Sequence, residues 1–564
     1  MLFASAAVME SQRIETTAVM ARDAGKTEAE ADPEVSEGID FARFYATSAS
    51  DFGGSTPLGT VLVVPPWNFP YAIPAGGVCA ALAAGNAVIL KPAPETVATA
   101  WQLVQQLWAG GVPRDVLQFV PTRDDDSGRH LVTHDGVDAV ILTGSFDTAL
   151  MFTTWRPDIT LLAETSGKNA ILISACADID VAVKDLVQSA FGHAGQKCSA
   201  ASLAIVVRDV YEDPAFLRQL IDAVRTLRVG PGWQLSTSVG PIIRSAEPAL
   251  ERALYHLDPG ESWLLEPHQL DAAGLQWSPG VKLGVRSGSW SHQHEWFGPV
   301  LGVMVAPDFT TAIRWQNRTD FGLTAGLQSL DEAECELWMD RIQAGNLYVN
   351  RGITGAIVNR QPFGGWRRSS VGPTAKAGGH HYVNSLRRWA TLTNTASSIE
   401  LAQEWWRSTG SQSIDRTGLG VEKNFQRYRR HANPVCVRVD SAFDESQRSL
   451  IDTIVRESDL NVTYSALEPV ATAPEAVIES TSALVVRAEG LDRVRWLSNE
   501  VAPSVELLQH GISVDRRVLV QRGDIEMARW LLEQSVSITH HRYGNVNAGP
   551  KPKCEGLGAS VLEG

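Results

Sequence analysis

Four short segments hold residue types able to do chemistry on a small molecule. Pro65-Pro66-Trp67-Asn68-Phe69-Pro70 sets an amide among prolines directly after a β-branched run. Ala163-Glu164-Thr165-Ser166-Gly167-Lys168 carries a carboxylate, and Gly195-Gln196-Lys197-Cys198-Ser199 carries a thiol on an irregular lead-in. Glu295-Trp296-Phe297-Gly298-Pro299 adds a second carboxylate beside two aromatic rings. A cysteine thiolate adds to carbonyl carbon, a glutamate can activate water, and an asparagine amide with a backbone N–H can hold a developing oxyanion. Each residue also has a plainer reading. Cys198 could be a buried structural thiol, Glu164 a solvated strand end, Asn68 a turn residue between prolines, and Phe297 core packing.

These segments need a scaffold, and from about residue 60 to 210 short β-branched runs alternate with helical patterns, the mark of βαβ units around a parallel sheet. Predicted strands are Val61 to Val64, Ala87 to Leu90, Leu117 to Val120, Ala139 to Leu142, Ile171 to Ser174 and Leu203 to Val207. Val97, Ala100, Trp101, Val104, Leu107 and Trp108 recur at helical spacing. A second helix starts at Asp178, a good N-cap residue. Leu301 to Val305 reads as a strand and Ala333 to Ile342 as a helix. Residues 390 to 415, with Thr393-Asn394-Thr395-Ala396-Ser397-Ser398, read as a linker. Beyond it Val435 to Val439, Ala483 to Arg487 and Arg517 to Val520 read as strands and Glu445 to Glu457 as a helix, giving a small α/β module of its own.

The chain has 564 residues, 44% hydrophobic and 20% charged, and a net charge of −15, which argues against a nucleic-acid partner because phosphate backbones call for a basic surface. Six cysteines lie scattered with no CxxC pair, so neither a disulfide framework nor a zinc site is expected, and the composition suits a reducing, cytoplasmic compartment. No apolar run is long enough for a membrane span. Neither GxGxxG after a strand nor GxxxxGK[ST] occurs.

The four segments, in this order and at these separations, resemble the aldehyde dehydrogenase superfamily from roughly residue 10 to 390. Cys198 follows Glu164 by 34 residues and precedes Glu295 by 97. The resemblance implies an α/β fold: an atypical Rossmann NAD domain without the usual glycine fingerprint, an α/β catalytic domain, and here an additional C-terminal α/β module. It implies a division into 1–166 (NAD binding), 167–350 (catalytic), 351–395 (substrate-anchor loop and return segment) and 396–564 (a non-catalytic module). Cys198 then resembles the nucleophile, Glu164 the general base, and Asn68 with the Cys198 amide the oxyanion donors. For NAD, Pro66 and Trp67 fall in the cofactor segment and Lys91 resembles the adenosine-ribose lysine. The glutamate usual three residues later is replaced by Pro94, with Glu95 next. Gly144 and Ser145 open the helix that approaches the pyrophosphate, Glu295 resembles the nicotinamide-ribose residue, and Phe297 the ring beside nicotinamide.

Gly345-Asn346-Leu347-Tyr348-Val349-Asn350-Arg351, Gln361-Pro362-Phe363-Gly364-Gly365 and Lys376-Ala377-Gly378-Gly379 resemble the glutamate-γ-semialdehyde (1-pyrroline-5-carboxylate) dehydrogenases, in particular the C-terminal half of bifunctional proline-utilisation proteins. The resemblance implies oxidation of L-glutamate γ-semialdehyde to L-glutamate, with Ser369 and Ser370 as anchors for the substrate carboxylate; Arg367-Arg368 reads as a solvated surface pair rather than as direct carboxylate ligands. It also implies a homo-oligomer and a proline dehydrogenase partner or missing N-terminal half. Ala21-Arg22-Asp23-Ala24-Gly25-Lys26-Thr27 resembles an internal family segment, so chain that usually precedes it is expected to be absent. The alternatives are a dehydrogenase for another small acidic semialdehyde and, in a different class, a truncated non-catalytic or assembly subunit.

Overall fold

The β-branched runs of the first third form strands Thr60–Val64, Ala87–Leu90, Leu117–Phe119, Ala139–Thr143 and Thr160–Glu164 of one sheet in this computed structural model, which describes residues 1–49, 52–373, 375–542 and 545–546. These five pair in parallel, and Ser370–Val371 joins antiparallel to Thr160–Glu164. Strand order reverses between Thr60–Val64 and Ala139–Thr143, a switch point at whose carboxyl ends doubly wound sheets open a ligand crevice. Pro65 to Asn68 leave one of those ends and Gly144-Ser145 the other. Helix Val97–Ala109 presents Ala100, Leu103, Val104 and Leu107 to the core, as its periodicity requires. The opening segment is two helices, Leu2–Ser11 and Arg13–Asp23, divided at Gln12, which leaves helical geometry at φ −107°, ψ 25°. Their buried Ala6, Met9 and Met20 join the same core.

A second, ten-stranded sheet is built on Asn169–Ile173, Ala201–Val207, Val300–Ala306, Thr324–Gln328 and Asn346–Val349. Helix Ile179–Phe191 covers it, capped by Asp178, whose side chain accepts from the Val181 amide at 3.4 Å. The C-terminal block is not confined to a sheet of its own. Leu532–Thr539 pairs in parallel with Asn346–Val349, and Glu422–Arg429 pairs antiparallel to Leu532–Thr539, so both extend the sheet that carries the thiol segment. Among the described residues beyond the linker, those from Val435 to Asp515 make a separate five-stranded sheet, Val477–Ile478, Val462–Ala466, Val435–Val439, Arg493–Trp496 and Ser513–Asp515, all parallel.

Three local expectations are corrected. The apolar run at Ala483 to Arg487 lies in helix Thr481–Val486, because Ser480 caps it by accepting from the Ala483 amide at 3.2 Å; a short apolar run alone does not separate helix from strand. Arg517 to Val520 is not a strand. Val520 makes one bridge to Thr391, and Arg517 folds back on Asp515. The supposed linker contains helix Thr395–Trp405, since its polar run is a cap: the Asn394 side chain accepts from the Ser397 amide, and Gln521 accepts from the Thr393 and Asn394 amides. Among the described residues no helix is long and apolar enough to cross a membrane.

Candidate active site

A cleft of about 1130 Å³ opens at the switch point of the first sheet and continues to the second. Pro66, Trp67, Asn68, Lys91, Glu95, Gly144, Ser145, Glu164, Cys198, Glu295 and Phe297 all line it. They arrive from separate elements, so it is the packing of the two sheets that gathers them.

Cys198 is half-buried at the end of a strained turn. His193, Ala194 and Gly195 all take left-handed conformations, with φ of 53°, 53° and 70°, a geometry that costs non-glycine residues about 1–2 kcal/mol each. Side chains hold it in place. Glu30 accepts from the His193 amide, and Gln196 donates to the His193 carbonyl at 3.1 Å and the Pro241 carbonyl at 3.1 Å. The buried Asn68 donates to the Gln196 carbonyl at 2.9 Å, tying the strand end of the first sheet to the thiol loop. On the other side Asn169 donates to the carbonyls of Cys198 (2.6 Å) and Ala200 (3.1 Å) and accepts from the Thr324 amide at 3.0 Å. Gly167 is required here: a Cβ would stand 2.5 Å from the Cys198 carbonyl oxygen.

Two carboxyls flank the thiol. Glu164 ends its strand and accepts from the Gly365 amide at 2.9 Å; burial pushes it up to about 8 against that hydrogen bond and the Lys376 charge. Glu295 accepts from the Gly167 amide at 3.0 Å and is pushed by burial up to about 7, opposed by that amide, Ser166 and Lys168. Lys168 itself is buried with its ammonium 3.6 Å from the Trp296 ring centroid, and burial holds it well below the ordinary ammonium range. Burial, then the charges of Glu295 and Glu164, push the Cys198 thiol up to about 12. Such a thiol is protonated at neutral pH.

At the outer end, Lys91 pairs with the exposed Asp124 at 2.7 Å. Glu95 pairs with Arg244, whose guanidinium lies 6.0 Å from the Trp67 ring centroid. Ser145 caps helix Phe146–Trp155 by accepting from the Thr148 amide at 3.0 Å, leaving that helix N-terminus facing the cleft, a setting that favours anions. Phe297, at φ 56°, meets Trp67 edge to face with centroids 5.6 Å apart.

The two anchor serines are not brought to the cleft. Ser369 is fully buried; its hydroxyl donates to the Ser166 carbonyl at 2.7 Å and accepts from the Gly322 amide at 3.1 Å. Ser370 pairs in the sheet opposite Glu164. Arg367 is exposed yet pinned to the Asn317 and Thr319 carbonyls, at 2.9 and 2.6 Å. Sequence reasoning assigned no role to Asn169, Arg244, Glu37 or Gly365, all of which line or brace the cleft. The signal for Asn169 was a polar residue opening an otherwise apolar strand.

The model of the aldehyde dehydrogenase family matches residues 1–391. The chain belongs to this family. It is 36% identical over 408 residues to a 1-pyrroline-5-carboxylate dehydrogenase of Geobacillus sp. (strain WCH70), covering 68% of this chain and 78% of that one. Among solved structures it is similar to Proline Utilization A (PutA) from Corynebacterium freiburgense, with TM-score 0.87, 43% identity, and coverage of 97% of this chain and 57% of that one. The chain thus spans little more than half the length of that protein. A second similar structure, 1-pyrroline-5-carboxylate dehydrogenase from Thermus with bound NAD, has TM-score 0.63 and 32% identity over 69% of this chain and 79% of that one. The Corynebacterium likeness takes in the C-terminal block, whereas the family match ends at 391. The sheet that joins Leu532–Thr539 to Asn346–Val349 therefore unites the family portion with chain beyond it.

Proposed function

We propose that this aldehyde dehydrogenase oxidises L-glutamate γ-semialdehyde, the open form of 1-pyrroline-5-carboxylate, to L-glutamate with NAD. The observation that carries the reading is the convergence of Cys198, Glu164, Asn68 and Glu295 on one cleft in a chain similar to named 1-pyrroline-5-carboxylate dehydrogenases.

The donor set fits a dinucleotide. Lys91 and the helix capped by Ser145 offer positive charge and amides for the adenosine and phosphate end, and Glu295 offers a carboxyl to a ribose. Trp67 and Phe297 flank that inner end. When bound, NAD supplies the hydride acceptor. The residues do the rest. Cys198 sulfur bonds to the aldehyde carbon and the thiol proton ends on the former carbonyl oxygen, forming a thiohemiacetal; loss of a hydride from its carbon and of that proton leaves a thioester on Cys198. Asn68 keeps one N–H on the Gln196 carbonyl and offers the other, with the Cys198 amide, to the oxyanion. Glu164 takes a proton from the water that cleaves the resulting thioester, releasing acid and thiol. Glu37, pushed by burial up to about 8, gives the cleft an acidic group suited to a substrate ammonium.

The enclosure of Ser369 favours a second reading, a small acidic semialdehyde recognised without the α-carboxylate. Steady-state rates with 1-pyrroline-5-carboxylate and succinic semialdehyde separate the two. NADH formation with the first, abolished in Cys198→Ala, is the expected result; its absence in the wild type refutes the proposal.

The separate sheet is assigned a structural role. At its own switch point, between Val435–Val439 and Arg493–Trp496, the Asp440 carboxylate takes the Asn499 amide and side chain at 2.6 and 3.0 Å, putting negative charge where a phosphate would need donors. A place in the cytoplasm beside a proline dehydrogenase activity, and assembly into a homo-oligomer, complete the proposal.

A further inference from the structure

One peptide group in the cleft wall is gripped from both ends. The Gly365 N–H donates to Glu164 Oε2 at 2.9 Å, and the carbonyl of that same peptide, Gly364 O, accepts from the Lys376 ammonium. Lys376 is buried, and its ammonium also donates to Asn346 Oδ1 at 2.7 Å. Side chains close on the glycine from both sides: a Cβ at Gly364 would stand 2.8 Å from Glu164 Oε1 and 3.1 Å from Lys376 Cγ. The lysine is in turn held from the C-terminal strand. The buried Glu533 accepts from the Lys376 amide at 3.1 Å with Oε2, and its own carbonyl accepts from Trp366 Nε1 at 2.9 Å. Glu533 lies outside the residues matched by the family.

We propose that Lys376 and Glu533 are positioning residues for the water-activating carboxylate Glu164, so that the C-terminal strand completes the active site. This rests on the reading of Glu164 given above. A cation on the oxygen of a peptide strengthens the donor at its nitrogen, and that donor favours the ionised carboxylate. The same bond fixes the plane of the Gly364–Gly365 peptide and with it the direction of Glu164. Glu533 keeps the buried ammonium charged: burial drives Lys376 down, while Glu164 and Glu533 drive it up. Glu164 is faced by Lys376, Cys198 and Tyr382. Glu533 is faced by Lys376 and Tyr428 and shares a small cavity with His381, Arg517 and Arg529. Removing Glu533 takes away one of the two charges that favour the ammonium, so E533Q and K376M act on Glu164 in the same direction.

The test is hydrolysis of p-nitrophenyl acetate without cofactor. The ester acylates Cys198 with release of nitrophenolate in a burst, and water then cleaves the thioester at the steady-state rate. K376M and E533Q are expected to keep the burst and raise the acid limb of the steady-state pH profile by about one unit, a tenfold slower deacylation on that limb. K376R and E533D are expected to return the limb close to the wild-type position, and they serve if the first pair folds poorly by thermal unfolding. E164Q is expected to keep the burst and lose turnover. If E164Q turns over normally, the role of Glu164 and this proposal fall together. If E164Q is dead while the limb of K376M or E533Q stays put or moves down, the positioning proposal alone is overturned.

Discussion

Asn169→Ala tests how the nucleophile is held. Asn169 is buried and satisfies three backbone groups: the Cys198 and Ala200 carbonyls and the Thr324 amide. Truncation strands all three, and a buried polar group left unpaired costs about 1–3 kcal/mol. Collapse or an entering water recovers part of this, so a net loss of roughly 3–5 kcal/mol is expected. The Cys198 carbonyl belongs to the turn that aims its sulfur, so geometry should suffer along with stability; a 1 Å misplacement can cost about a hundredfold in rate. The assay pairs urea unfolding with the rate of aldehyde oxidation at saturating NAD. N169D is a useful companion, because its carboxylate keeps an acceptor for the Thr324 amide but turns an oxygen toward two carbonyls. It should be at least as damaging as N169A. An unfolding free energy within about 0.5 kcal/mol of wild type, with unchanged turnover, would refute the idea that Asn169 fixes the thiol loop.

Ser369→Ala should destabilise the protein by about 2–4 kcal/mol, seen as a lower melting temperature, because it strands the Ser166 carbonyl and Gly322 amide; unchanged melting with a raised KM for the carboxylate substrate would instead place the hydroxyl on the ligand. Glu164→Gln should raise the melting temperature at pH 8 while removing turnover. The wild-type carboxyl is raised from 4.5 to about 8 in the fold, so it costs stability progressively as pH rises from about 4.5 to 8, and the variant's advantage should be absent at pH 4 and grow across that window. Alkylation of Cys198 by iodoacetamide should rise about tenfold per pH unit from 7 to 10 in the cofactor-free protein, as a thiol pushed up to about 12 requires; a plateau by pH 8 would contradict it. Glu95→Ala leaves Arg244 paired with Glu247 alone and should shift the NADP to NAD preference toward NADP by about tenfold, equivalent to about 1.4 kcal/mol, measured as the ratio of kcat/KM.

Much of this site was legible because its residues sit at strand ends, where β-branched runs mark the scaffold and irregular segments mark the chemistry. Asn68 follows the predicted strand Val61 to Val64 and Cys198 precedes Leu203 to Val207, whereas the strand that Glu164 ends, Thr160–Glu164, was not among those predicted; all three reach the cleft. Ser369 stands away from the cleft for a physical reason: a serine after paired glycines looks free in sequence, but its hydroxyl is enclosed between the Ser166 carbonyl and the Gly322 amide beside the antiparallel pairing of Ser370 with Glu164. Lys376 and Glu533 could not be connected by pattern, since 157 residues separate them and only the sheet brings them together. The C-terminal strand was equally opaque. Nothing in the alternation of Leu532–Thr539 says which sheet it joins, because edge complementarity is a property of the folded partner.

That pairing also sets a clock on biosynthesis. Asn346–Val349 emerges from the ribosome 186 residues before its neighbour Leu532–Thr539, which at about 5–20 residues per second is roughly 10–40 s. For that interval the sheet bearing the thiol segment presents an unpaired apolar edge, the form of nascent chain most prone to join a neighbour's strand. Pairing across such a separation is slow in its own right. Yield of active enzyme should therefore depend on translation speed and chaperone supply more steeply than for relatives whose catalytic sheet closes within one continuous segment.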